Sequence, residues 1–219
     1  MKILLKNDDL NEALSSVSNL GFVPTMGSLH KGHISLVKRS LKECNKTIVS
    51  IFINPKQFNN KKDYKNYPRN HQKDLTILKK LKVDYLYLPS KEEIYNTLRK
   101  SKIHLKKKDK ILCAKYRKGH FEGEIDVMDR LTNKIRPKKI FMCEKDFQQL
   151  YLVKKYIEKK YKSKIVSCKT IRNSDKLALS SRNLRLRKKQ LKLAGNIAQN
   201  IFKFKNDLVK RSLKECNKT

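Results

Sequence analysis

The stretch from Gly21 to Ile53 constrains the fold of this chain more than any other. Gly21 to Pro24 is a short apolar run, and Ile34 to Cys44 carries apolar residues at helical spacing. Thr47 to Ile53 is β-branched and almost continuously apolar, which is typical of a parallel strand covered on both faces. A strand, a helix and a second strand within about thirty residues predict a right-handed βαβ unit.

Similar patterns continue along the chain and predict an α/β fold with a Rossmann-like parallel sheet and helices on both faces. Three more apolar runs predict strands at Val83–Leu88, Lys139–Met142 and Ile165–Ile171. With the two strands of the βαβ unit, this makes five predicted strands. Helical spacing predicts helices at Asn7–Val17, His71–Leu81, Phe147–Tyr161 and Leu184–Phe204. The basic stretch Arg99–Lys118 alternates weakly, which favours a small ribbon or a solvated arm.

The turn between the first strand and its helix contains two histidines, His30 and His33, beside Gly27 and Gly32. The N-terminus of a helix presents unpaired N–H groups and attracts phosphate. Histidines three residues apart face the same way and can donate to one phosphate group. Two alternatives are surface histidines and a metal pair, but no third ligand follows at metal spacing.

Polar clusters follow the other strands, where ligands of parallel sheets bind. Asn54 and Gln57 follow the second strand, and a carboxamide both donates and accepts, which suits a hydroxy acid. Lys145 and Asp146 follow the fourth strand, where an ammonium group meets phosphate and a carboxylate accepts from ribose hydroxyls. The loop Arg172–Asn183 carries two serines and an arginine that could hold a pyrophosphate. A capping turn and a surface loop are the plainer alternatives for the last two clusters.

Six strings of the sequence, four of them from the clusters just described, resemble the pantothenate synthetase family within the His-x-Gly-His nucleotidylyltransferase superfamily. They are Pro24-Thr-Met-Gly-Ser-Leu-His-Lys-Gly-His33, Val49–Phe58, Tyr67-Pro68-Arg69, Arg117–Gly123, Cys143–Gln149 and Ser180-Ser-Arg-Asn183. The resemblance implies a catalytic Rossmann-like domain over residues 1–183 that binds ATP and pantoate. It also implies that residues 184–219 form a truncated C-terminal lobe, a helical segment shorter than that of the family.

The reaction implied by the resemblance joins pantoate to β-alanine with ATP and Mg²⁺. It passes through a pantoyl-adenylate and releases pyrophosphate and AMP, with no protein metal site. The implied catalytic residues are His33 (the family's proton donor), His30, Lys145 and Arg182. The implied pantoate site comprises Gln57, Gln149 and Asn54, and Gln57 also orients β-alanine. The implied ATP site comprises Met26, Gly27, Ser28, Leu29, His30, Lys31, Gly32, His33, Cys143, Glu144, Lys145, Asp146, Ile171, Leu179, Ser180, Ser181 and Arg182.

Three residues depart from the pattern of the family. Glu124 and Asp129 stand where the family usually places apolar residues, and an unpaired buried charge there costs several kcal/mol or is neutralised. Cys143 stands where glycine is usual, and a side chain there could narrow the nucleotide pocket. These departures and the truncation are what an inactive or impaired truncated homologue would show, and a related nucleotidylyltransferase is a second alternative. The family forms homodimers, and the sequence leaves open whether this chain does.

The formal net charge of +34 on 219 residues would attract nucleic acid, acidic membranes or anionic substrates. The excess is mostly lysine spread along the chain, and no nucleic-acid motif accompanies it, so a solvated surface is favoured over a specific nucleic-acid partner. The five cysteines form no Cys-x-x-Cys pair, which favours a reducing compartment. No apolar run reaches membrane-spanning length, so a cytoplasmic location is expected.

Overall fold

The computed structural model describes residues 1–95 and 103–216, with side chains described up to residue 208. In this part of the chain six strands form one parallel sheet, in the order β1-β4-β3-β2-β5-β6. The strands are β1 (Lys2–Leu4), β2 (Leu20–Thr25), β3 (Lys46–Ile51), β4 (Tyr85–Tyr87), β5 (Lys139–Cys143) and β6 (Lys164–Cys168). The α/β prediction is confirmed, and all five predicted strands are present. The edge strand β1 was not predicted.

Ten α-helices connect and flank the strands within the described residues. They are α1 (Asn7–Leu14), α2 (Lys31–Glu43), α3 (Lys61–Lys65), α4 (His71–Lys80), α5 (Lys91–Tyr95), α6 (Cys113–Tyr116), α7 (His120–Ile135), α8 (Phe147–Val153), α9 (Lys159–Tyr161) and α10 (Lys188–Cys216). A π-helical turn, Lys154–Glu158, joins α8 to α9, so the helix predicted over this range is present. None of the described helices has the length and hydrophobicity needed to span a bilayer.

The sheet is buried on both faces, as its continuous apolar runs predict. Phe22 and Val23 are neighbours on β2, yet they belong to different hydrophobic clusters. Phe22 packs in the cluster that contains Leu10 of α1 and Ile125 of α7. Val23 packs in the opposite cluster, with residues of α2 and α4. The prediction of helices on both faces is therefore confirmed.

The ribbon prediction for the basic stretch is wrong where the structure describes it. Residues 99–102 lie outside the described part of the chain. Residues 103–118 contain a 3₁₀ turn, Lys107–Asp109, and the short helix α6, with no strand. Asp109 is 4% exposed and accepts hydrogen bonds from Lys155 Nζ at 2.5 Å and Tyr156 Oη at 3.1 Å. This buried carboxylate ties the stretch to the helical turn that joins α8 to α9.

The two unusual charges of α7 are buried, and both are paired. Glu124 Oε1 lies 3.1 Å from His120 Nε2. Asp129 Oδ1 accepts from Lys160 Nζ at 2.5 Å and from Tyr161 Oη at 2.8 Å. The penalty expected for unpaired buried charges is therefore reduced by these partners.

Candidate active site

A cavity of about 370 Å³ opens at the carboxyl edge of the sheet. Its lining includes Met26, Gln57, His120, Lys145 and Arg182, one residue from each of five polar clusters of the sequence. Four of these residues follow different strands and His120 begins α7, and the parallel sheet brings them to one edge. The clusters predicted to form a site therefore converge on one cavity.

His30 and His33 stand at the N-terminus of α2 with their ring centroids 4.1 Å apart. His30 is the N-cap, and its Nδ1 accepts the backbone N–H of Gly32 at 3.1 Å. His33 Nδ1 accepts the backbone N–H of His30 at 3.3 Å. Because both Nδ1 atoms accept, each neutral ring carries its hydrogen on Nε2. Two imidazole N–H donors are thus left for a ligand in the cavity.

The electrostatic surroundings keep both imidazoles neutral. Burial, the neighbouring His30 and the Lys145 ammonium lower the pKa of His33 to about 3. Burial, followed by Lys145, also lowers the pKa of His30. At neutral pH the two rings are therefore hydrogen-bond donors and carry no positive charge.

Asp74 of α4 holds the loop that precedes the histidines. This carboxylate is 1% exposed and accepts the backbone N–H groups of Ser28 at 2.8 Å and Leu29 at 2.7 Å. The carbonyl of Ser28 in turn accepts from the Ser181 hydroxyl at 3.0 Å. Ser28 and Leu29 therefore give their amides to Asp74, and no local pattern in the sequence signals this contact across 46 positions.

Lys145 and Asp146 follow β5 and form an ion pair of 2.9 Å. Cys143 has φ −87° and ψ 138°, an extended conformation that does not require glycine. Its Sγ accepts the backbone N–H of Lys145 at 3.4 Å, and the residue lines the cavity. The side chain of Glu144 accepts from the Ser167 hydroxyl at 2.7 Å.

Asp63 of α3 holds the loop that follows β6. Asp63 accepts from Arg182 Nη2 at 2.8 Å and from Arg185 Nη1 at 2.7 Å. The hydrogen bond from Arg182 is the main cause of the lowered pKa of Asp63. The Arg182 guanidinium also lies 5.3 Å from the ring centre of Tyr67. Asp63 was not anticipated, because it approaches these residues only in the folded chain.

Asn54 and Gln57 follow β3 but occupy different positions. Gln57 lines the cavity, with its Nε2 3.4 Å from Met26 Sδ. Asn54 is 1% exposed, donates to the Gly123 carbonyl at 2.9 Å and accepts from the Tyr95 hydroxyl at 2.7 Å. It holds α7 against the turn and does not line the cavity. A Cβ on Gly123 would lie 2.4 Å from the Lys56 carbonyl oxygen, so this approach requires glycine.

The structure thus divides the predicted site residues into two groups. Those that line the cavity are Met26, His30, Gly32, His33, Gln57, Cys143, Lys145, Asp146, Gln149, Ile171, Leu179, Ser180, Ser181 and Arg182. Those outside its lining are Gly27, Ser28, Leu29, Lys31, Asn54 and Glu144. The lining also contains His120 and Glu124, which were not nominated. Their separation of four residues on a helix is a signal that could have found the pair.

Comparison with known proteins places these features in one family. A sequence model described as pantoate-beta-alanine ligase matches residues 2–219. The pantothenate synthetase of Bacteroides thetaiotaomicron is 37% identical over 223 residues, which cover 100% of this chain and 79% of that protein. That of Francisella philomiragia is 41% identical over 193 residues, 86% of this chain and 73% of that protein.

Solved structures that resemble this chain belong to the same family as its sequence relatives. The crystal structure of pantoate-beta-alanine ligase from Francisella tularensis, complexed with beta-gamma ATP and beta-alanine, has a TM-score of 0.85 and 40% identity. The alignment covers 91% of this chain and 78% of that one. Pantothenate synthetase from Thermus thermophilus gives a TM-score of 0.83 at 34% identity, over 89% of this chain and 71% of that one. These matches do not favour the alternative of a related nucleotidylyltransferase.

Proposed function

The chain belongs to the pantoate–β-alanine ligase family, and we propose that its sheet-edge cavity carries out both steps of that reaction. The enzyme is an ATP-dependent ligase that condenses pantoate with β-alanine. In the first step a carboxylate oxygen of pantoate attacks the α-phosphorus of ATP, and the bond to pyrophosphate breaks. In the second step the amine of β-alanine attacks the acyl carbon, and AMP leaves.

The observation that carries this assignment of roles is the pair of Nε2–H donors at the start of α2. Charge builds on the phosphate oxygens as the pantoate oxygen attacks, and fixed donors stabilise that charge without reorganising. His30 and His33 supply these donors while remaining neutral, since their Nδ1 atoms are held by backbone N–H groups. Because burial lowers the pKa of His33 to about 3, its ring carries no imidazolium proton at neutral pH, and in this proposal it acts by donating a hydrogen bond.

Cationic groups from two loops complete the phosphate site in this proposal. Lys145 contributes an ammonium from the turn after β5, and Arg182 contributes a guanidinium from the loop after β6. Both are paired with carboxylates, Asp146 and Asp63. We infer that the triphosphate replaces these pairings, because a polyanion competes well for exposed cations. Ser180 accepts the Arg182 backbone N–H and keeps its own hydroxyl hydrogen for a phosphate oxygen, whereas Ser181 already donates to the Ser28 carbonyl.

Pantoate and the adenine ring occupy the remaining lining in this proposal. Gln57 and Gln149 offer donors and acceptors to the hydroxy acid, and Ile171 offers an apolar surface to adenine. Among the described residues no three His, Cys, Asp or Glu side chains gather to hold a metal ion. Asp146 is the carboxylate that would hold Mg²⁺ beside the triphosphate, and the ion would neutralise phosphate charge there.

The experiment that tests the function is pyrophosphate release by the purified protein with ATP, Mg²⁺ and pantoate. We expect pantoate-dependent release without β-alanine, and AMP formation after β-alanine is added. His33→Ala removes one preorganised donor and should slow release by about 10²- to 10³-fold. His71→Ala is the matched control, because His71 also begins a helix but is exposed outside the cavity. A wild-type protein that releases no pyrophosphate under these conditions would overturn the proposal.

A further inference from the structure

Glu124 is an acidic residue in the part of the cavity lining that α7 contributes, where His120 is the one other polar residue. It lines the cavity together with Val127, Met128 and Leu131, which follow it at three, four and seven positions on the same face of α7. All four residues are at most 6% exposed. A buried charge is costly in such surroundings, so its presence at this position requires a physical reason.

The hydrogen bonds of His120 determine which oxygen of the Glu124 carboxylate can carry a hydrogen. His120 Nδ1 contacts the carbonyl oxygen of Gln57, which only accepts, so Nδ1 carries a hydrogen. The contact of 3.1 Å between His120 Nε2 and Glu124 Oε1 then contains one shared proton. The pair is either imidazolium with carboxylate or imidazole with carboxylic acid. In both forms Glu124 Oε2 carries no hydrogen and can only accept.

Glu124 Oε2 is buried and has no hydrogen-bond partner among the described residues. An unsatisfied buried acceptor is rare in folded proteins, because it has lost its water without a replacement. His120 cannot supply the missing donor, since both of its nitrogens are already engaged. A substrate hydroxyl or ammonium group would satisfy it.

We propose that Glu124 determines specificity by accepting, through Oε2, a hydrogen bond from the C4 hydroxyl of pantoate. This inference rests on the function proposed above. Pantoate carries a dimethyl carbon between two hydroxyl-bearing carbons, which matches an apolar wall with one acceptor. β-Alanine has a charged group at each end and no comparable apolar body. The C4 hydroxyl is the one remote from the pantoate carboxylate, so this pairing limits repulsion between the two acids.

The test compares pantoate with its analogue that lacks the C4 hydroxyl, 2-hydroxy-3,3-dimethylbutanoate, in pyrophosphate release without β-alanine. For the wild type we expect kcat/KM to be about 10- to 100-fold higher with pantoate, the range for a buried hydrogen bond to a charged group. Glu124→Val should lower kcat/KM for pantoate by a similar factor and leave the analogue unchanged. Glu124→Gln keeps an oxygen for His120 and should retain part of the preference, so it carries the test if the valine variant does not fold.

Asp129→Asn is the matched control, because Asp129 is a buried carboxylate of the same helix that does not line the cavity. It should keep the full preference for pantoate. Unchanged discrimination in both Glu124 variants would overturn the inference. A second assay, of AMP formation with β-alanine added, would also overturn it if the variants change only KM for β-alanine, because Oε2 would then belong to the ammonium group. If the wild type releases no pyrophosphate with pantoate, the proposed function itself fails. If it does and Glu124→Val behaves the same, only the role of Glu124 fails.

Discussion

Replacing Gly32 with alanine should displace the His30 imidazole while leaving the fold intact. A Cβ at this position would lie 2.8 Å from His30 Cε1 and 2.9 Å from His30 Nδ1. Carbon contacts are most favourable near 3.5 Å, so the ring must retreat by roughly 0.7 Å. Its hydrogen bond to the Gly32 N–H, now 3.1 Å long, would then exceed the range of a real hydrogen bond.

Stability and activity should respond differently to this change. Losing the hydrogen bond costs about 1 kcal/mol, and alanine in place of glycine within a helix returns up to about 1 kcal/mol. The melting temperature should therefore shift by only a few degrees. The rate should fall about 100-fold, the cost of moving a catalytic group by about 1 Å.

Pyrophosphate release at saturating ATP and pantoate, with a thermal melt of each protein, measures both quantities. The control is the double variant Gly32→Ala with His30→Ala, which should be no slower than His30→Ala alone, because the added methyl acts through that ring. A Gly32→Ala enzyme with the wild-type rate would refute the reasoning. A double variant far slower than His30→Ala would show that the methyl acts through the backbone.

Three further outcomes follow from the same site. Below pH 6.5 an unfolded chain protonates His33, whereas the folded chain does so only near its pKa of about 3. Acidification over this interval should therefore lower the free energy of unfolding more for the wild type than for His33→Asn. Urea denaturation of both proteins at pH 7 and pH 4.5 measures this difference. Parallel losses would contradict this. Asp74→Asn replaces one of two acceptors by a donor and should lower the free energy of unfolding by about 1–3 kcal/mol in urea, together with the rate of pyrophosphate release. If neither the stability nor the rate of Asp74→Asn changes, the loop that contains Ser28 and Leu29 does not depend on Asp74. Gly123→Ala places a Cβ 2.4 Å from the Lys56 carbonyl oxygen. This contact should lower the free energy of unfolding by about 1–3 kcal/mol, seen as a lower melting temperature, and should raise KM for pantoate. If the Gly123→Ala variant melts at the wild-type temperature, α7 can move away from Lys56 at no cost, and the reasoning is wrong.

The strands were predictable because their signal is local and continuous. Thr47–Ile53 is apolar over adjacent residues, and β3 (Lys46–Ile51) is buried from its second residue to its last. Strand β1 was missed because it has three residues, of which only Leu4 is buried. A run that short contains no readable period, and only pairing with β4 defines it.

The convergence of the cavity was also predictable, since the carboxyl ends of parallel strands meet at one edge. The supporting carboxylates were not. Asp74 and Asp63 act across 46 and 119 positions of the chain, and no spacing connects them to their partners. For Asp129 the sequence indicated the charge but not its neighbours, because Lys160 and Tyr161 meet it only after α9 packs on α7.

The contact of Asp74 with the turn before His30 has a consequence for how the enzyme meets its nucleotide. Both amides of that turn are occupied by a carboxylate of the protein itself, so the turn holds its shape in an empty cavity. The conformational entropy of ordering it is lost once, when the chain folds, and not again at each turnover. ATP therefore binds beside a turn that is already ordered. Its binding free energy is available for aligning the α-phosphorus with the attacking pantoate carboxylate.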